Sequence, residues 1–157
     1  NTHRMVSEYW SRFYQPAAER GFQQKENDWA GLRDLTRWRE KVMYNWANIA
    51  IRGVRMNTIA EVQVGEPFPV EADIFLGDLL PEDVMVEVYS GRVDPSQNYM
   101  DRFTQLMIPG ESIGDRLFRY RCEVIFRDSG HFGVNVRITP NHPNPESRHN
   151  MGLVIWA

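Results

Sequence analysis

The stretch Arg116-Leu117-Phe118-Arg119-Tyr120-Arg121-Cys122-Glu123-Val124-Ile125-Phe126, with Phe132-Gly133-Val134-Asn135-Val136-Arg137-Ile138-Thr139-Pro140 after it, decides the fold. Phe118, Tyr120, Cys122, Val124 and Phe126 stand at every second position, and Arg119, Arg121, Glu123 and Arg127 fall mostly between them. That is the period of a strand wetted on one face. Phe132, Val134, Val136 and Ile138 repeat it, with His131, Asn135, Arg137 and Thr139 turned the other way. Asp128-Ser129-Gly130 separates the runs and is rich in turn formers, so the two strands are expected to pair as an antiparallel hairpin. Each large apolar side chain contributes roughly 1.5–3 kcal/mol when fully buried, so this pair supplies the spine of a core. A hairpin alone is marginal, and a second sheet must cover it.

Strand text fills the chain from Asn48 onward. Ile49, Ile51, Val54 and Met56 suggest a first strand, which Ile59 to Val64 extends or pairs with. Phe68, Val70, Ala72, Ile74 and Leu76 alternate after Gly65-Glu66-Pro67, and Val84, Val86 and Val88 alternate after the turn Leu80-Pro81-Glu82-Asp83. Ser90 to Asn98 reads as a polar loop, 101–108 as a strand, Pro109 to Asp115 as a turn region, and Leu153 to Trp156 as the closing strand. About seven antiparallel strands with turn signals between them give an all-β sandwich of immunoglobulin-like type over residues 48–157.

Residues 1–47 form a helical lead-in of two helices, which makes the fold class α+β by content. The first helix is expected over His3–Tyr14, capped by Thr2. Its apolar residues Met5, Val6, Tyr9, Trp10, Phe13 and Tyr14 spread over an arc of about 180°, wider than the stripe of about 100° that one core can cover. These six residues are the candidate interaction surface, with one flank against the chain's own fold and the other against a partner. Left bare, the second flank would drive self-association. A second helix is expected over Asp28–Trp46, capped by Asn27 or Asp28, burying Trp29, Leu32, Leu35, Trp38, Val42, Met43 and Trp46.

Composition excludes several functions. A net charge of -3 with only two lysines, Lys25 and Lys41, does not make a nucleic-acid or anionic-membrane surface. No apolar run approaches the roughly 20 residues of a membrane helix, no signal peptide precedes the first helix, and no N-x-Ser/Thr site occurs, so the location expected is cytoplasmic. The first residue is not methionine and lies at a helix start, so the chain is expected to be a piece of a longer one. The single cysteine, Cys122, falls on an inward face and reads as an inert core thiol. Phosphate-binding glycine loops and the G-x-S-x-G elbow are absent. His142, Glu146 and His149 are split by Pro143 and Pro145, which disfavours a metal site. Glu71 with Asp73, and Glu82 with Asp83, read as solvated pairs, and Ser129 with His131 as turn residues, so no catalytic residue is assigned.

The opening Asn1-Thr2-His3-Arg4-Met5-Val6, continued by Glu8-Tyr9 and Phe13-Tyr14-Gln15-Pro16, resembles the end of the catalytic part of bacterial and archaeal α-glucan phosphorylases. Val70-Glu71-Ala72, Leu76-Gly77-Asp78-Leu79, Pro81-Glu82-Asp83-Val84, Val86-Glu87-Val88-Tyr89, Ser129-Gly130, Val136-Arg137 and Trp156-Ala157 are similar to the tail module that follows it. The resemblance implies a parent that moves a terminal glucosyl unit from an α-1,4-glucan to phosphate with pyridoxal phosphate as cofactor. The family's cofactor-lysine segment, Gly-Thr-Ser-Gly-Met-Lys, is absent, so neither cofactor nor catalytic residue is expected in this fragment. The expected role is a structural or interaction module whose partners are the parent's catalytic region and, through it, the glucan. The alternative is a carbohydrate-binding module that tethers glucan. Such a module would align two or three exposed aromatics, and only Tyr89 and Tyr99 qualify, one of them in a loop, so glucan affinity is expected to be no tighter than millimolar. An independent hydrolase would need a cleft and a catalytic pair that the sequence does not offer.

Overall fold

In the computed structural model, which describes residues 2–16, 18–19, 29–57, 62–96, 98–143 and 151–157, the apolar periods resolve into helices followed by a two-sheet sandwich. Helix α1 (Thr2–Tyr9) runs into one π-helical turn (Trp10–Tyr14), and α2 (Ala30–Asn45) ends in a 3-10 turn (Trp46–Asn48). The strands are β1 (Ala50–Arg55), β2 (Pro67–Phe75), β3 (Val84–Val93), β4 (Tyr99–Leu106), β5 (Ile108–Gly114), β6 (Leu117–Ile125), β7 (Phe132–Pro140) and β8 (Ile155–Trp156). Two compact units divide the chain, Asn1–Glu40 and Lys41–Ala157. Thr2 lies inside α1 and does not cap it, and the residues expected to cap α2, Asn27 and Asp28, fall outside the described residues together with Lys25 and Ile59.

All strand pairs are antiparallel, in the orders β1-β2-β6-β5 and β4-β3-β7-β8. This is the immunoglobulin constant-type arrangement with one strand added beside the third. In the first sheet Phe68, Val70, Ala72 and Ile74 face Val124, Cys122, Tyr120 and Phe118 across the β2–β6 ladder. In the second, Val84, Val86, Val88 and Ser90 face Pro140, Ile138, Val136 and Val134 across β3–β7. These two inner faces bury each other. Ser90 is fully buried and is tolerated because its hydroxyl donates to Gly133 O at 2.9 Å.

The expected hairpin is corrected. β6 and β7 do not pair with each other; each is a central strand of a different sheet. The reason is the ring of Phe126, which continues the inward period past β6 and lies 5.8 Å from Phe68, 6.3 Å from Phe103 and 4.7 Å from Phe132 between ring centroids. Phe68 belongs to one sheet and Phe103 and Phe132 to the other, so this residue anchors the crossing. On one sheet the nine inward side chains would have needed a further apolar surface; on two, they largely cover one another.

Further differences follow from edge positions. Pro109 to Asp115, expected as a turn, contains β5, an edge strand exposed along its whole length and therefore without alternation. Its Pro109, opposite Tyr120, suits an edge because the ladder does not need a donor there. The sandwich thus has eight strands among the described residues. β3 continues to Val93 through what reads as a polar loop, helped by Gly91 and, opposite it, a bulge of β4 at Asp101, whose φ is 47°. Within the second unit, Val42 and Trp46 at the end of α2 are buried while Met43 is exposed, and Lys41 Nζ donates to Asp83 at 2.5 Å. Asp83 also accepts from Leu80 N at 2.8 Å, so one carboxylate holds both the helix end and the turn before β3.

Candidate functional site

The surface singled out by sequence begins on α1. Met5, Val6, Tyr9, Trp10, Phe13 and Tyr14 are all between 53% and 63% exposed, so neither flank of the arc is buried. Two ring pairs organise the face: Tyr9 with Phe13 at 5.6 Å, and Trp10 with Tyr14 at 6.3 Å and nearly parallel. The π-helical turn beneath them, where Gln15 N–H donates to Trp10 O, leaves no mark in the spacing of apolar residues. Ser11 turns its hydroxyl back to Ser7 O at 3.0 Å and so competes with the regular ladder at that point. The chemistry offered is apolar contact, with Arg4 and Glu8 paired at 3.7 Å on the polar side.

On the outer face of the first sheet, Glu71 and Asp73 are not simply solvated. Arg55 of β1 and Arg119 and Arg121 of β6 bracket them. Asp73 accepts from Arg55 at 2.7 and 2.8 Å and from Arg119 at 2.9 and 3.3 Å. Those bonds, with Arg55 foremost, hold its carboxyl well below the usual carboxylate range. Glu71 is lowered too, first by its bond from Arg55. Carboxylates kept anionic in this way are poor general acids and weak bases, so the ladder is structural.

The outer face of the second sheet gathers what the sequence had scattered. Cross-strand pairing places Leu106, Glu87, Arg137 and Trp156 in one row and Thr104, Tyr89 and Asn135 in the next. Arg137 donates to Glu87 at 2.9 Å, and its guanidinium lies 5.3 Å from the Tyr89 ring and 5.8 Å from that of Trp156. Tyr89 meets Trp156 edge-on at 5.2 Å and Tyr99 at 5.5 Å. Tyr99 belongs to β4 and not to a loop. Sequence reasoning missed Trp156 as a neighbour of Tyr89 because the register of a two-residue last strand carries no local signal.

The remaining candidates stay apart. Glu146 and His149 lie outside the described residues, and His142 is buried. Asp83 belongs to the Lys41 clamp. Burial, and then Glu123, push the Cys122 thiol up to about 11, which suits an unreactive thiol. Ser129 and His131 border a cleft of about 440 Å3 floored by Phe68, Phe126 and Phe132, where no carboxylate–histidine–hydroxyl relay is formed among the described residues. No helix among the described residues is long and apolar enough to cross a membrane.

Comparison with known proteins gives one consistent result. The family model described as Glycogen phosphorylase C-terminal domain matches residues 46–157. The chain is 27% identical over 159 residues to a maltodextrin phosphorylase of Thermococcus litoralis, covering 99% of this chain and 18% of the relative. It is 28% identical over 156 residues to the glycogen phosphorylases of Mycobacterium tuberculosis and Mycobacterium bovis, covering 98% of this chain and 18% of each relative. The chain thus spans less than a fifth of the length of these relatives. No solved structure gives a significant match.

Proposed function

We infer, since this chain belongs to the family of glycogen phosphorylase C-terminal domains, that it is the non-catalytic C-terminal module of a cytoplasmic α-glucan phosphorylase. The parent would transfer glucosyl units from α-1,4-glucan to phosphate and release glucose 1-phosphate. The match over residues 46–157 carries this reading. The chemistry of the described residues supports it, because their best-placed carboxylates are locked in ion pairs.

Pyridoxal phosphate would serve in the parent's catalytic region, where it supplies the acid phosphate for glucosyl transfer. Among the described residues the lysine present does not fit it. Lys41 is committed to the buried Asp83 at 2.5 Å, and Lys25 lies outside the described residues. The work left to this chain is contact. The apolar arc of α1 is suited to rest on the catalytic region, because six exposed apolar side chains on little more than three turns lose water on docking.

The test is a pair of phosphorolysis assays with glucan, phosphate and pyridoxal phosphate. The 157-residue chain should release no glucose 1-phosphate and the full gene product should release it. Turnover by the chain above a heat-killed control, or none by the full product, overturns the reading.

A further inference from the structure

We propose that the outer face of the second sheet, centred on Tyr99 and Trp156, is a low-affinity subsite for an α-1,4-glucan chain. The choice of an α-1,4-glucan among neutral sugars rests on the phosphorylase reading above; the site itself rests on geometry. A pyranose ring presents C–H groups on its faces and hydroxyls around its rim. It is recognised by aromatic faces flanked by planar or hydroxyl hydrogen-bonding side chains. That combination stands here on three strands of one rigid sheet. Tyr89, Tyr99 and Trp156 supply the rings, with Thr104 and Asn135 in the Tyr89 row. Arg102 reaches the Tyr89 hydroxyl at 3.4 Å at the rim.

The rings are already oriented. Tyr89 is held edge-on to both of the others, and the Arg137 guanidinium fills the corner between Tyr89 and Trp156, so little side-chain entropy remains to be lost on binding. Arg137 is neutralised by Glu87, so the guanidinium in the corner between Tyr89 and Trp156 carries no unanswered charge. Tyr99 and Trp156 flank Tyr89 at 5.5 and 5.2 Å, so a ligand touching both must extend beyond one sugar ring.

A purely structural role, pinning β8 to the sheet, would explain Arg137 and Trp156. It would not explain the floor under Tyr99. Gly91 and Gly133 face each other near the end of the β3–β7 ladder, and a Cβ on Gly133 would lie 2.6 Å from the Tyr99 hydroxyl. Paired glycines weaken a strand and mark a close approach, here of a ring laid across the sheet. Trp156 remains 44% exposed. A single such site is weak, in the millimolar range, but on a branched polymer weak sites add through effective concentration.

The test is native electrophoresis of the 157-residue chain through gels with and without glycogen, with nuclear magnetic resonance titration by maltoheptaose. Glycogen should retard the wild type, and Trp156→Ala and Tyr99→Ala should each lose most of the retardation. Arg102→Ala, at the rim, should weaken millimolar binding about threefold or more. Should the ring variants fail to fold, the Trp156 indole N–H resonance, assigned with Trp156→Phe, decides: a saturable shift supports the subsite and an unmoved signal overturns it. Unretarded wild type, or retardation that survives in folded ring variants, also overturns it. Failure of the full gene product to make glucose 1-phosphate, with glycogen retardation intact, would remove the phosphorylase reading and leave the subsite standing.

Discussion

Arg55 and Asp73 form a two-pronged ion pair between the first two strands, Nη1 to Oδ2 at 2.7 Å and Nη2 to Oδ1 at 2.8 Å. Asp73→Asn breaks the charge match while keeping the shape, and should cost about 1–3 kcal/mol at pH 7. The folded carboxyl is held below its unfolded value of about 3.9, so the contribution is complete above that value and is lost as pH falls through the range beneath it. Urea unfolding of both proteins should therefore show a gap at pH 7 that narrows below about pH 4. A gap that stays constant would mean that Asp73 stabilises by packing alone.

The Phe126 ring meets Phe68 of one sheet and Phe132 of the other at the β6–β7 crossing. Phe126→Ala should cost about 3–5 kcal/mol, and Phe126→Leu much less, because the second keeps most of the buried volume. Denaturant midpoints measure the difference. Equal, small losses would show that the corner collapses without the ring.

The six apolar residues on the first helix should make the isolated chain self-associate. Trp10→Glu with Tyr14→Glu should shift it toward monomer without lowering the unfolding midpoint of the sandwich. Light scattering across concentration is the measurement, and a wild-type monomer at high micromolar concentration would dismiss the arc as a contact surface.

Cys122 should react slowly with a thiol reagent at pH 8. With its thiol pushed up to about 11, only about one molecule in a thousand carries the thiolate at that pH, and denaturant should speed the reaction by orders of magnitude. Fast labelling of the folded chain would place the thiol in solvent.

The parts of the fold that were legible in the sequence are those with two-sided contrast. Pro67–Phe75 and Leu117–Ile125 bury one face and wet the other, so alternation marked them. β5 has no buried face and left no mark, and the partner of β6 could not be read because alternation reports which side is buried and not which strand lies alongside. The candidate surfaces divide in the same way. The helix arc is local and was visible in spacing. The Tyr89, Tyr99 and Trp156 cluster joins residues from three strands and exists only once register is known.

Met107 carries the chain from the second sheet to the first in a single residue, with its side chain buried and its N–H donating to Val86 O at 2.9 Å. The sandwich is therefore laced shut along its β4–β5 margin, while β1 and β8 face each other at the opposite one without pairing in a common sheet. Such a body opens like a book on its spine. Partial opening should let β1 and the C-terminal tail lift while β4 and β5 stay joined, so amide exchange should rise first in β1 and β8. It also sets the direction in which pulling on the C-terminus loads the domain: tension at Ala157 peels β8 from β7 before it reaches the seam at Met107.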